Sequence, residues 1–170
     1  MAKTLRRYWD SSCFLAWLKP EPERFDACRD VIRAAESGEI QLVTSAISLT
    51  EVIKLNKGPI VLPKETEEKI SNFFKQEYIS IVQLTRFIAE RARALIWMYP
   101  ALRPKDAIHA ATALYLEIDE LHTFDSDFLP LDGTIEKARL RIKEPQAIQP
   151  GLPLEPPPVA EPEDEEPPIN

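Results

Sequence analysis

The chain has 170 residues, 44% of them hydrophobic and 29% charged, with a formal net charge of −7. That length suits one domain with a full core, and the apolar share excludes wholesale disorder. No apolar run approaches the roughly 18 residues of a membrane span, and no apolar stretch with a small-residue cleavage site follows the basic N-terminus, so a cytoplasmic protein with no membrane partner is expected.

The acidity is uneven. Residues 145–170 hold six acidic residues and no Lys or Arg, so removing them from −7 leaves −1 for the body. The overall charge therefore argues neither for nor against a nucleic-acid partner. Cys13 and Cys28 are the only cysteines and read as small buried hydrophobes. With only His109 and His122 beside them, no zinc ligand set can be assembled.

Strand-like and helix-like segments alternate, the pattern of a parallel sheet covered by helices. Arg7, Tyr8 and Trp9 end a first strand, and Ser11 or Ser12 caps a short helix through Leu18. Residues 24–37 form an amphipathic helix stopped by Gly38. A strand over 40–44 leads into a helix from about Ala46 to Asn56, which Gly58 and Pro59 break. Pro63 precedes a helix from Lys64 to Lys75, and Ile79–Val82 is a short strand. Thr85 caps a long helix to about Met98, and Pro104 opens another to about Leu116. Residues 120–123 form a strand, Asp132-Gly133 a turn, and Leu140–Ile142 a last edge strand. The expected fold is a three-layer α/β/α sandwich around a central parallel sheet, spanning residues 1–144. Nine of the sixteen prolines fall in residues 145–170 among acids, so that segment is expected to be a disordered or polyproline-like tail.

Four acids stand at element boundaries: Asp10 after the first strand, Glu51 after the second, Asp106 in the first turn of a helix, and Asp125 after the fourth strand. A carboxylate beside an apolar run is partly desolvated, and several converging on one point repel unless a cation sits among them. Oxygen-seeking divalent ions, Mg²⁺ or Mn²⁺, suit such a set. In an open parallel sheet, ligands collect outside the carboxyl ends of the strands. Glu51 lies among apolar neighbours at helical spacing, an odd place for a carboxylate unless something binds it. These residues point to a metal site at one end of a sheet, used for phosphodiester cleavage.

Four stretches carry a resemblance: Tyr8-Trp9-Asp10-Ser11-Ser12; Ser48-Leu49-Thr50-Glu51-Val52; the run from Lys105-Asp106-Ala107-Ile108-His109 to Leu114; and Thr123-Phe124-Asp125-Ser126-Asp127-Phe128. Together they resemble the PIN-domain ribonucleases, which include the VapC-type toxins of toxin–antitoxin pairs. The resemblance covers residues 5 to about 143 and is most specific at Asp106–Leu114. It implies that Asp10, Glu51, Asp106 and Asp125 hold one or two Mg²⁺ or Mn²⁺ ions, with Asp127 an auxiliary ligand or an alternative to Asp125. It also implies an RNA substrate cut to a 5′-phosphate and a 3′-hydroxyl, a homodimer and a cognate antitoxin protein.

Around these acids, Ser12 is read both as a helix cap and as a partner of a ligand or phosphate. Thr123 either orients the site or merely suits a strand. Arg103 and Lys105 are either phosphate contacts or solvated helix-start residues. His109, one turn after Asp106, is read as a packed, hydrogen-bonded histidine in preference to a general acid. Two look-alikes fail: Leu129 stands where an aspartyl-phosphate phosphatase needs Thr or Val, and Leu129 and Pro130 spoil an EF-hand loop over 125–136. The competing functional readings are a catalytically silent scaffold that binds a protein partner and a stand-alone RNA-processing nuclease.

Overall fold

The computed structural model describes residues 4–19, 21–55, 58, 61–136 and 139–146. Among them, five parallel strands form one sheet: β1 (Leu5–Trp9), β2 (Ile40–Ser45), β3 (Ile79–Val82), β4 (Glu120–His122) and β5 (Arg141–Lys143), in the order β3-β2-β1-β4-β5. The expected α/β/α sandwich is the observed one. Residues 147–170, most of the proposed tail, lie outside the described residues.

Alternating side chains distribute each central strand between two cores. On β1, Tyr8 packs with Ile88, Leu95, Ala110 and Leu121, whereas Trp9 packs with Phe14, Val31, Ile32 and Phe74. On β2, Val43 faces the first of these cores and Leu42 the second. One face is covered by α5 (Arg86–Met98) and α6 (Pro104–Tyr115), the other by α1 (Ser11–Leu18), α2 (Pro22–Glu36) and α4 (Lys64–Phe73). Both cysteines are free and buried in the second core, as expected.

Local chemistry sets the element ends. Pro22 and Pro104 occupy first helical turns, where a missing N–H costs nothing. Thr85 Oγ1 accepts the Ile88 N–H at 3.3 Å and caps α5. Gly38, with φ +80°, supplies the left-handed residue that turns the chain from α2 into β2.

Two expectations need correction. The N-cap of α1 is Asp10, not a serine: its carboxylate accepts from the backbone N–H groups of Ser12 and Cys13. A carboxylate serves better there because it also meets the positive end of the helix dipole. The helix expected over 46–56 is a single turn, α3 (Ser48–Glu51). Its hydroxyls bond locally instead of leaving the backbone to propagate: Thr50 Oγ1 donates to the Ile47 carbonyl at 2.8 Å, and Ser48 pairs with Thr44 at 2.7 Å. The β-branched pair Val52-Ile53 follows, and Val52 leaves helical geometry.

The strand order places β1 between β2, which follows it in sequence, and β4, which comes much later. The chain thus winds outward from β1 through β2 to β3 and then crosses back to β4 on the other side of β1, and a crevice opens beyond the carboxyl ends of β1 and β4. Asp10 follows β1 there, with its N–H on the His122 carbonyl at 3.2 Å.

Candidate active site

An open cleft of about 320 Å³ lies at this crevice, and Asp10, Glu51, Asp106 and Asp125 all line it, together with Ser12 and Lys105. The four acids come from four separate places: the end of β1, the end of α3, the first turn of α6 and the loop after β4. Asp127 is not part of the lining; it stands at the rim, 69% exposed. Thr123 is fully buried beneath the site.

Asp10 is the most enclosed of the acids. Its Oδ1 accepts from the Ser12 hydroxyl at 2.6 Å, and its Oδ2 from the Thr123 hydroxyl at 2.5 Å. Thr123 Oγ1 in turn accepts the Asp125 N–H at 2.9 Å, and Ser12 Oγ accepts the Phe124 N–H at 2.8 Å. These two hydroxyls tie the end of β1 to the loop after β4. Ser12 is thus not the cap of α1 but, with Thr123 just past the end of β4, a hydroxyl that orients Asp10. Burial raises the Asp10 carboxyl above its ordinary value, against the hydrogen bonds that favour its charge.

Glu51 is held from three sides. His109 Nε2 lies 3.0 Å from Oε2, the Ser11 hydroxyl donates to the same oxygen, and Lys105 Nζ stands 3.0 Å from Oε1. His109 is buried, and its Nδ1 lies 2.9 Å from the Tyr8 hydroxyl. With Tyr8 donating, the other ring nitrogen carries the proton toward Glu51. Burial pushes the Glu51 carboxyl up, but the bonds from His109, Ser11 and Lys105 outweigh it and hold it at about 2. His109 is thus the packed, hydrogen-bonded residue expected from sequence. Tyr8 and Ser11 complete a chain from β1 to Glu51 that sequence reasoning missed. The only signal was that both fall within two residues of Asp10 in the sequence.

Asp106 behaves in the opposite way. Burial and the nearby Asp125 push its carboxyl up to about 6, with a smaller push from Asp10, although Arg103 and His109 oppose them. Like charges crowd here, as expected for acids that share a site. Arg103 answers part of that charge. Its guanidinium touches Asp127, lies 3.1 Å from Asp125 and 3.6 Å from Asp106.

The donors fit a hard divalent ion in kind: they are carboxylate oxygens gathered in one cleft, with Asp106 short of countercharge. As they lie, no three His, Cys, Asp or Glu side chains among the described residues stand close enough to form a ligand set. The side chains interposed among them are Arg103 and Lys105, 52% and 66% exposed. Both side chains are solvent-exposed, so a cation entering the cleft would compete with them for the carboxylates.

A family model for the PIN domain matches residues 7–133, three-quarters of the sequence. The chain belongs to the PIN domain family. Two solved structures share the fold of this PIN domain. One is a toxin–antitoxin complex from Klebsiella pneumoniae, at 24% identity and a TM-score of 0.55, covering 84% of this chain and 99% of that one. The other is VapC20 of Mycobacterium tuberculosis, described as a toxin that cleaves the sarcin–ricin loop, at 16% identity and a TM-score of 0.58, covering 79% and 98%. At these identities the likeness is one of fold. No curated protein matches this PIN domain. Among its described residues, no helix is long and apolar enough to cross a membrane.

Proposed function

We propose that this PIN domain is a divalent-metal-dependent endoribonuclease, with Asp10, Glu51, Asp106 and Asp125 holding Mg²⁺ or Mn²⁺ and Asp127 assisting at the rim. The observation that carries the reading is the meeting of four carboxylates from four elements in one cleft, with Asp106 pushed up to about 6 chiefly by burial and by Asp125. A site that tolerates such crowding is built for a positive ligand. When bound, the ion supplies positive charge that polarises the phosphodiester and makes an attacking water acidic near neutral pH.

The chain's own residues do the rest. Ser12 and Thr123 fix both oxygens of Asp10, and His109 and Ser11 fix Glu51. That leaves the ligand positions set before substrate arrives, and such supporting hydrogen bonds matter nearly as much as the ligands. Arg103 and Lys105, released from the carboxylates, become phosphate contacts beside the scissile bond.

The fold shared with the toxin–antitoxin complex and with the sarcin–ricin-loop-cleaving toxin supports an RNA substrate, a role as the toxin of a toxin–antitoxin pair, and an antitoxin protein as partner. A cytoplasmic site of action goes with that role. Exposed apolar side chains on α5 and α6, Phe87, Trp97, Met98 and Tyr115, support a homodimer. Residues 1–144 form the nuclease unit in this reading, and 145–170 an appended acidic extension.

The test is cleavage of an unstructured single-stranded RNA by the purified chain with Mg²⁺ or Mn²⁺, and with EDTA. Products bearing 5′-phosphates are expected only with metal, and Asp10→Asn or Asp106→Asn is expected to slow cleavage at least about 100-fold. Equal cleavage by wild type and both variants refutes the reading. A silent scaffold shows no metal-dependent cleavage in any of them.

A further inference from the structure

We propose that the groove beside the catalytic cleft is the lane for the RNA strand on one side of the cut, with Lys19, Arg24 and Lys54 as its phosphate contacts. The proposal rests on the ribonuclease reading and extends it to residues outside the carboxylate cluster. The groove, about 380 Å³, lies between α1, the start of α2 and the segment that follows α3. It shares Ser12, Leu15, Glu51 and Ile53 with the cleft, so the two form one continuous depression. An endonuclease acts on a polymer that must pass beyond the scissile phosphate, and this is the depression that leads away from it.

Charge supports the same occupant. Apart from Glu51, the groove holds three cations and one acid, Glu21, in a body that carries a net charge of only −1 once residues 145–170 are set aside. Lys19 and Arg24 share Glu21 at 3.9 and 3.5 Å, all three about half exposed. Pairs of that kind are weak in water and leave the cations free to meet phosphates. Lys54 Nζ donates to the Gly58 carbonyl at 2.6 Å, which positions it and leaves two of its three donors.

Arg24 links groove to site. Its guanidinium lies 5.4 Å from the centroid of Phe124, the residue between Thr123 and Asp125. Lying over that ring fixes the plane of the guanidinium while its N–H edges remain available to a phosphate. Between the cations run the apolar side chains of Leu15, Ile53 and Leu55, with Ile53 more than half exposed. A basic rim over an apolar floor suits a single strand, whose backbone follows the charges while its sugars and bases cover the floor. A duplex offers only its backbone to such a floor.

Binding of a fluorescent, unstructured 12-nucleotide RNA to the full chain in EDTA, followed by anisotropy across a salt series, tests this without cleavage. The triple variant Lys19→Glu, Arg24→Glu, Lys54→Glu is expected to weaken binding at least about 30-fold and to flatten the salt dependence by about 2 in log–log slope. Arg24→Gln alone is expected to weaken it several-fold. Arg86→Glu, an exposed charge reversal on α5, is the control and is expected to change it less than twofold. Unchanged affinity in the triple variant overturns the proposal and leaves the groove to a peptide. Equal weakening by Arg86→Glu overturns it as well, because binding is then diffuse. A chain that binds RNA through these cations but cuts none refutes the catalytic reading and keeps the lane.

Discussion

Asp106 is expected to lower the stability of the metal-free fold at neutral pH, and its removal to raise it. Its carboxyl stands at about 6 in the folded chain against an ordinary 3.8, and the side chain is only 12% exposed. A tenfold change in proton affinity is worth about 1.4 kcal/mol, so the ionised group opposes folding by about 3 kcal/mol. The folded state binds this proton more tightly than the unfolded chain. The cost is therefore absent below about pH 3.8, grows as pH rises, and is complete above about 6. Asp106→Asn removes it while forfeiting the favourable acid in the first turn of α6, about 0.5–1 kcal/mol. The net gain is about 2 kcal/mol at pH 7.5, or a rise of roughly 1 M in urea midpoint at a slope near 2 kcal/mol per M. Urea unfolding in EDTA, read by circular dichroism at pH 7.5 and pH 4, measures it directly. The gain is expected to vanish at pH 4. A variant less stable than wild type at pH 7.5, or a gain that does not depend on pH, refutes the account of Asp106 as an acid short of countercharge.

Glu120 makes the opposite case. Burial pushes its carboxyl up, but His122, Lys143 and Arg7 outweigh that and hold it at about 2 against an ordinary 4.5, with the side chain 18% exposed. Its ionisation stabilises the fold by about 3 kcal/mol above pH 4.5, and that contribution is lost as pH falls toward 2. Glu120→Gln is expected to lower unfolding free energy by 2–3 kcal/mol at pH 7 and by less than half as much at pH 3, measured by urea titration. Thr123→Val keeps the side-chain shape and removes the hydroxyl between Asp10 and Asp125. It is expected to lower cleavage about 10–100-fold and to move half-saturation to higher Mn²⁺, at a stability cost of only about 1–2 kcal/mol. A variant whose activity falls only as far as its folded fraction refutes the positioning role.

What was legible in the sequence followed from local chemistry. Short strand-like runs between helical segments located the five strands of the described residues, Thr85 and Pro104 located two helix starts, and Asp10, Asp106 and Asp125 stood out because each sits where an element begins or ends. The short α3 escaped because its fate depends on competition between backbone and hydroxyl bonds at Ser48 and Thr50, which apolar spacing does not register. The Tyr8–His109–Glu51 chain escaped for a different reason. Its links join residues 101 and 58 positions apart, so no local pattern announces them. The places of Arg103 and Lys105 were equally hidden. Their nearness to Asp106 was visible, but not that one would reach Asp125 and the other Glu51.

The proton affinities of the acids separate two kinds of carboxylate with little solvent access in this fold. Glu120 is surrounded by His122, Lys143 and Arg7, all on the strands that form that part of the sheet, and its charge is matched where it stands. Asp10 and Asp106 are pushed the other way, Asp10 by burial and Asp106 by burial together with repulsion from Asp125 and Asp10, beyond what nearby donors return. Glu51 lies between these cases. Its low value depends on buried groups, His109 and Ser11, and on one exposed cation, Lys105. A positive ligand entering the cleft can take the place of Lys105, whose side chain is 66% exposed, without disturbing the other two. Glu120 has no comparable partner to yield, since its cations are anchored in the sheet and at most about a third exposed. The cleft is therefore the part of this fold whose negative charge is left to be completed from outside.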